Sequence, residues 1–234
     1  MNASLPGDIR LRSGESVDEF MDGRLRLIQS KAGYRFSVDA VFLSEFVSIR
    51  KGDFLIDLGT GCGIIPLILL RTRPLRFALG VEIQPNLAEQ AARNVNLNGF
   101  KGRMGVLIGD VRRPPVKASS ANVVVCNPPY RPKESGRLNP DMERAIARHE
   151  ILASLEDIMD VSQMLLKEKG RLAIIYSAER LPDLMVSMRE RRLEPKRLQM
   201  VYPDTNSEAK LVLIEALKGG NPGIRVLPPI MMVS

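Results

Sequence analysis

Residues 53–63 read Asp-Phe-Leu-Ile-Asp-Leu-Gly-Thr-Gly-Cys-Gly. The first five, 53–57, pattern as a buried strand. Gly59, Gly61 and Gly63 then recur at every second position as a turn. Alternate glycines let the chain bend sharply and let a ligand approach bare backbone. An apolar helix follows over 64–71, and a second strand over 77–83. Strand, glycine turn, helix and strand open a parallel sheet covered on both faces. In open sheets of this kind, ligands bind beyond the carboxyl ends of the strands.

Working outward, Pro85 suits the first turn of a helix. Leu87, Ala91 and Val95 line one face of it, and Asn98-Gly99 closes it. Strands follow over 105–109 and 122–126. Ser154 and Asp157 form a capping box. They open a helix lined by Leu155, Ile158, Met159, Leu165 and Leu166 that ends at Gly170. Residues 171–176 read as a strand and 182–192 as a helix. Residues 197–202 and 211–216 form an antiparallel pair around a polar turn. The fold class is α/β, a doubly wound and mostly parallel sheet. Residues 1–50 read as an N-terminal cap of the same domain, helical around Ala40, Val41, Leu43, Phe46 and Val47. Residues 51–218 form the main body, and 219–234 a mobile tail rich in Gly and Pro.

The 234 residues allow one domain at roughly 150 residues per domain. A hydrophobic share of 44% excludes a disordered chain. Apolar runs such as 64–70 fall short of the ~18 residues that span a bilayer. Two cysteines without a C-x-x-C and one histidine argue against a disulfide scaffold and a zinc site. Cytoplasmic residence is expected, without membrane or metal. The net charge of +7 is concentrated: residues 100–149 hold 10 basic and 4 acidic side chains, whereas 1–50, 51–99 and 150–234 are within one charge of neutral. Such a window points to a polyanionic partner.

The glycine loop is not a dinucleotide fingerprint. G-x-G-x-x-G fails in both registers, at Ile64 and at Pro66. This disfavours a nicotinamide-dependent oxidoreductase. Asp57 ends the first strand, and Glu82 ends the second. A carboxylate at Glu82 can accept from both ribose hydroxyls. Asp110 ends the third strand and can accept from an adenine amino group. With Gly59, Thr60 and Gly61, and with Ile83 and Val111 beside the acids, they describe an adenosine site.

The fourth strand runs into Asn127-Pro128-Pro129-Tyr130. Two prolines stiffen this corner and remove its N–H groups. It then offers acceptors only, the Asn127 side-chain oxygen and the Pro128 carbonyl. Two acceptors suit a planar –NH2 group. Binding both hydrogens draws the nitrogen lone pair out of conjugation and frees it for attack. Tyr130 supplies a ring for stacking.

These residues, Asp57-x-Gly59-x-Gly61-x-Gly63, Glu82, Asp110 and Asn127-Pro-Pro-Tyr130, resemble the class I S-adenosylmethionine-dependent methyltransferases that modify amino nitrogens. Residues 33–40 (Gly-Tyr-Arg-Phe-Ser-Val-Asp-Ala), 147–150 (Ala-Arg-His-Glu) and 215–220 (Glu-Ala-Leu-Lys-Gly-Gly) are similar to the bacterial tRNA(Val) adenine-N(6)-methyltransferase family. The resemblance implies a Rossmann-like sheet of seven strands with an antiparallel last strand. It implies S-adenosyl-L-methionine as cofactor and the adenosine beside the anticodon as methyl acceptor. It also implies that Phe36 and Asp39, on the N-terminal cap, cover the methionine end of the cofactor. Arg131-Pro132-Lys133 departs from the aromatic residue often found after the tetrapeptide.

On that reading the basic window is an RNA surface. Arg112 and Arg113 follow Asp110, Arg131 and Lys133 follow Tyr130, and Arg144 and Arg148 share a helix face. Cys62 and Cys126 read as small buried side chains, and His149 is not required as a base. Two rival readings remain. A protein glutamine N5-methyltransferase also presents an amide –NH2, though only about 50 residues precede the first strand here. A catalytically inactive RNA-binding protein would retain the basic window without needing the acids and the tetrapeptide.

Overall fold

The computed structural model describes residues 10–32, 35–128 and 153–232. The chain forms two compact units, residues 1–110 and 111–234.

The first unit opens with an antiparallel hairpin, β1 (Glu15–Phe20) and β2 (Leu25–Ser30). Its turn takes positive φ at Met21, Asp22 and Gly23. The hairpin was not anticipated, because the acids of β1 obscure its alternation. They have partners: Glu15 pairs with Arg93, and Asp18 accepts from Gln29 at 2.7 Å and Arg35 at 2.6 Å. β2 buries Leu25, Leu27 and Ile28 completely. Helix α1 (Val38–Phe46) follows, as the apolar spacing at 40–47 predicts. Then come β3 (Phe54–Leu58), α2 (Ile64–Thr72), β4 (Phe77–Glu82), α3 (Pro85–Leu97) and β5 (Met104–Ile108). β3, β4 and β5 pair in parallel. Helix α2 is buried from Ile64 through Leu70. Pro66 is tolerated because N–H groups in the first helical turn have no intrahelical partner. Full burial of each Leu or Ile there contributes ~1.5–3 kcal/mol.

Two asparagines, one in the last turn of α3 and one capping it, bind the hairpin to the unit. Asn94 and Asn98, four residues apart, meet alternate residues of β2. Asn94 accepts from Ile28 N–H at 2.7 Å and donates to its carbonyl at 3.2 Å. Asn98 treats Arg26 the same way, at 2.9 and 2.7 Å. The amides stand in for a neighbouring strand.

The second unit holds β6 (Ala121–Cys126), α4 (Leu155–Leu165), β7 (Leu166–Ser177), a 3-10 turn (Ala178–Arg180), α5 (Leu181–Glu190), β8 (Leu193–Tyr202) and β9 (Leu211–Lys218). β6 and β7 are parallel, and β9 runs antiparallel to both β7 and β8. The expected antiparallel last strand is therefore present. β3–β5 and β6–β9 supply the seven main strands.

Two boundaries differ from expectation. The helix opened by Ser154, whose capping box is complete, stops at Leu165 instead of Gly170. Lys218, almost fully buried, donates from Nζ to the carbonyls of Gln163 at 2.7 Å and Leu166 at 2.8 Å. It satisfies acceptors that the helix end leaves open. The exposed residues 167–169 then sit in a register shift between β6 and β7. Gly170 is needed there, because a Cβ would stand 2.8 Å from the Lys167 carbonyl. The expected mobile tail is also held: β10 (Arg225–Val226) and β11 (Ile230–Met231) pair in parallel with β8.

Replacing Lys218 with Met keeps the buried stem and removes the donor. It should cost about 1–3 kcal/mol, because two carbonyls lose their partner. Urea unfolding should show a lower midpoint with an unchanged slope.

Candidate active site

The carboxyl ends of β3, β4 and β5 carry the glycine loop and the acids read from the sequence. Gly59, Gly61 and Gly63 have φ of 76°, 56° and 87°. Those left-handed values explain why each alternate position is a glycine. Gly63 also caps α2, and a Cβ there would lie 3.2 Å from Met104 Cε. Nothing lies within 4 Å of where a Cβ on exposed Gly59 would be. That position is bare backbone facing open space.

Strand β4 ties the loop down. The N–H groups of Gly59 and Thr60 both donate to the Val81 carbonyl, at 2.9 and 3.0 Å. Glu82, 2% exposed, accepts from Gly61 N–H at 2.9 Å through Oε2 and from Gln84 N–H at 2.9 Å through Oε1. Each carboxylate oxygen keeps a further lone pair.

Asp57 is fully buried. Its Oδ2 accepts from the Thr60 hydroxyl at 2.6 Å, and its Oδ1 has no partner. Burial pushes its carboxyl up to about 7; the Thr60 hydroxyl opposes the shift and the charge of Glu82 adds to it. Thr60 is engaged inward throughout, since its carbonyl accepts from Gly63 N–H at 2.9 Å. Its contribution therefore runs through Asp57. A desolvated acceptor without a donor, near the end of β3 and beside a loop of bare backbone, suits a ligand that brings a cationic or donor group.

Of the other residues singled out, Asp39 stands half-buried in the first turn of α1. Phe36 is half-buried, with its N–H on Gln29 Oε1 at 3.2 Å and its ring edge-on to Phe20 at 5.5 Å. Ile83 and Asp110 are half-buried after β4 and β5. In the second unit, Val111 is half-buried and Arg112 and Arg113 are exposed. Asn127, half-buried, directly follows β6, and Pro128 is buried. Pro129, Tyr130, Arg131, Lys133, Arg144, Arg148 and His149 lie outside the described residues. Cys62 and Cys126 are both buried and form no disulfide among the described residues, and burial pushes the Cys62 thiol up to about 12. Among the described residues, no cluster of three or more His, Cys, Asp or Glu could hold a metal, and no helix is long and apolar enough to cross a membrane.

Sequence reasoning missed three supporting residues. Gln29 positions Phe36. Asn94 donates to the Cys62 carbonyl at 3.0 Å, so it joins the glycine loop to the hairpin. Gly80 leaves room for Thr60, whose Cγ2 would lie 2.6 Å from a Cβ there. The four-residue spacing of Asn94 and Asn98, beside the apolar Ala91 and Val95, was the available signal.

The model of the methyltransferase small domain family matches residues 37–188. Two curated relatives, both named tRNA1(Val) (adenine(37)-N6)-methyltransferase, come from two strains of Porphyromonas gingivalis. They are 31% and 34% identical to this chain, and each alignment covers 85% of this chain and 80% of the relative. Among solved structures, a predicted O-methyltransferase of Agrobacterium tumefaciens superposes with a TM-score of 0.67 at 20% identity, covering 83% of this chain and 87% of that one. Geranyl diphosphate C-methyltransferase of Streptomyces coelicolor, solved with S-adenosyl-L-homocysteine, gives 0.60 at 16% identity, covering 77% of each chain. At those identities the structures bear on the fold, which is the Rossmann-like methyltransferase fold.

Asp57 makes the ligand-free protein pH-sensitive in a definite direction. Its carboxyl holds a proton more tightly in the fold than in the unfolded chain. That contribution to stability is complete below the ordinary carboxylate range and is lost as pH rises through about 7. Stability should fall by up to ~4 kcal/mol from this group between pH 4 and 8. Asp57→Asn should flatten that part of the profile in thermal unfolding across pH.

Proposed function

The chain belongs to the methyltransferase small domain family, and on that premise we propose that it methylates the exocyclic amine of an adenine in tRNA, beside the anticodon. It is an S-adenosyl-L-methionine-dependent N-methyltransferase. The observation that carries the choice of acceptor is the match, over most of both chains, to relatives bearing that activity in their names. A tRNA substrate puts the work in the cytoplasm.

The residues singled out for the cofactor suit it chemically. The unpartnered Oδ1 of Asp57 suits its amino group. The open backbone at Gly59, with Gly61 beside it, admits a close approach. Glu82 retains lone pairs for ribose hydroxyls, and Asp110 accepts from the adenine amino group. Ile83 and Val111 add apolar contact, and Thr60 holds Asp57 in place. Phe36 and Asp39 cover the methionine end. When bound, the cofactor supplies a methyl group already activated by a sulfonium.

What the chain adds is positioning. Asn127 Oδ1 and the Pro128 carbonyl accept the two hydrogens of the target amine. Pro128 and Pro129 present no competing N–H, and Tyr130 stacks on the base. The amine loses its proton after its charge has risen, so no strong base is required. Arg112, Arg113, Arg131, Lys133, Arg144 and Arg148 hold phosphates while the base is extruded from its stack.

Incubation with methyl-labelled cofactor and tRNA lacking the modification should yield N6-methyladenosine in nucleoside mass spectrometry. Label appearing in purified translation factors and not in tRNA would overturn the assignment. Asn127→Ala should bind the cofactor normally in calorimetry and lose at least ~100-fold in kcat, the scale expected when a reacting group is misplaced.

A further inference from the structure

The end of the first unit opposite the glycine loop carries a different constellation. In a parallel sheet, the strands begin at one end and the intervening helices finish there. That end gathers Arg71 and Arg73 from the close of α2, Arg76 from the residue before β4, and Lys101 and Arg103 from the turn before β5. All five are exposed. Contacts fix their clustering. The guanidinium groups of Arg71 and Arg103 lie over one ring, Phe100, at 4.8 and 5.8 Å from its centroid. Arg103 also donates to the Leu75 carbonyl at 2.6 Å. Arg76 joins Phe54, Phe77 and Gly102 around a shallow depression of about 380 Å³.

The patch is not neutralised. None of the five cations makes an ion pair among the described residues. Of the two nearby acids, Asp53 is buried and accepts from Arg50 N–H at 2.7 Å. Glu45 meets Arg73 through its backbone carbonyl, at 3.4 Å. The negative end of the α2 dipole accounts for Arg71 and Arg73. It does not account for Arg76, Lys101 and Arg103, which stand at strand entries.

We propose that this basic end is a second phosphate-contacting surface for the RNA substrate, gripping its backbone at the end of the first unit away from the glycine loop. The proposal rests on the RNA-substrate reading above. Guanidinium forks spread over an exposed surface suit a run of phosphates. The strands of the unit are five or six residues long, so the surface lies about 17–20 Å from the loop end. An RNA that touches both ends must extend well beyond the target loop.

The test compares full-length tRNA with a short hairpin carrying only the target loop. Arg76→Glu with Lys101→Glu is the variant of choice, because neither side chain makes a hydrogen bond among the described residues. Affinity for full-length tRNA should fall at least tenfold at low salt. The slope of log K against log salt should become shallower by about 1.5. Hairpin affinity, cofactor affinity and unfolding temperature should not change. Arg76→Gln with Lys101→Gln should move in the same direction by less, without charge reversal. Equal tRNA affinity in variant and wild type would overturn the proposal, and so would an equal loss on both RNAs. Absence of methyl transfer with the length-dependent binding intact would overturn the reaction assigned above and support the surface.

Discussion

Glu82 and Asp57 end neighbouring strands, both buried, and their charges act on each other. Two carboxylates cannot share a dry site unless each charge is compensated. Glu82 is compensated by backbone: one oxygen takes an N–H from the glycine loop and the other an N–H from the turn into α3. Asp57 is compensated only in part, by the Thr60 hydroxyl. The left-handed turns at Gly59 and Gly61 follow from this arrangement, because the loop must curl back over β4 for its N–H groups to reach Val81 and Glu82. What remains is one unsatisfied acceptor, Asp57 Oδ1.

The loop is not held by β4 alone. Asn94 links the Cys62 carbonyl to both backbone groups of Ile28, so the glycine turn and the hairpin share one buried amide. From the same hairpin, Gln29 and Phe20 hold the backbone and the ring of Phe36. The residues before β3 are therefore more than a covering. They place an aromatic side chain by contacts that reach back to the glycine loop through a single asparagine.

Much of this was legible in the sequence because it depends on local rules. Alternate glycines after an apolar strand, Pro85 at a helix start and the Ser154–Asp157 box each act over a few residues, and each appears where it was read. The misses were long-range. The hairpin was hidden because Glu15 and Asp18 look unfit for a half-buried strand until Arg93, Gln29 and Arg35 are brought to them. The end of α4 was misplaced because the group that satisfies it, Lys218, lies more than 50 residues further along the chain. Glu82 was read as a ribose ligand alone, and nothing local announced that it also ties two backbone segments together.

Charge shows the same limit from the other side. Counted along the chain, residues 51–99 are nearly neutral. Folded, their charges separate. Asp57 and Glu82 go to the ends of their strands, whereas Arg71, Arg73 and Arg76 collect where strands begin. The separation follows from parallel topology, because β3 and β4 run in one direction, toward Asp57 and Glu82, and α2 returns to the end where Arg71, Arg73 and Arg76 stand; Asp53, before β3, is the exception. A sum over a sequence window cancels what the sheet keeps apart. The acids, Asp57 and Glu82, are buried and held by hydrogen bonds, whereas the cations at the opposite end, Arg71, Arg73 and Arg76, stand exposed to solvent.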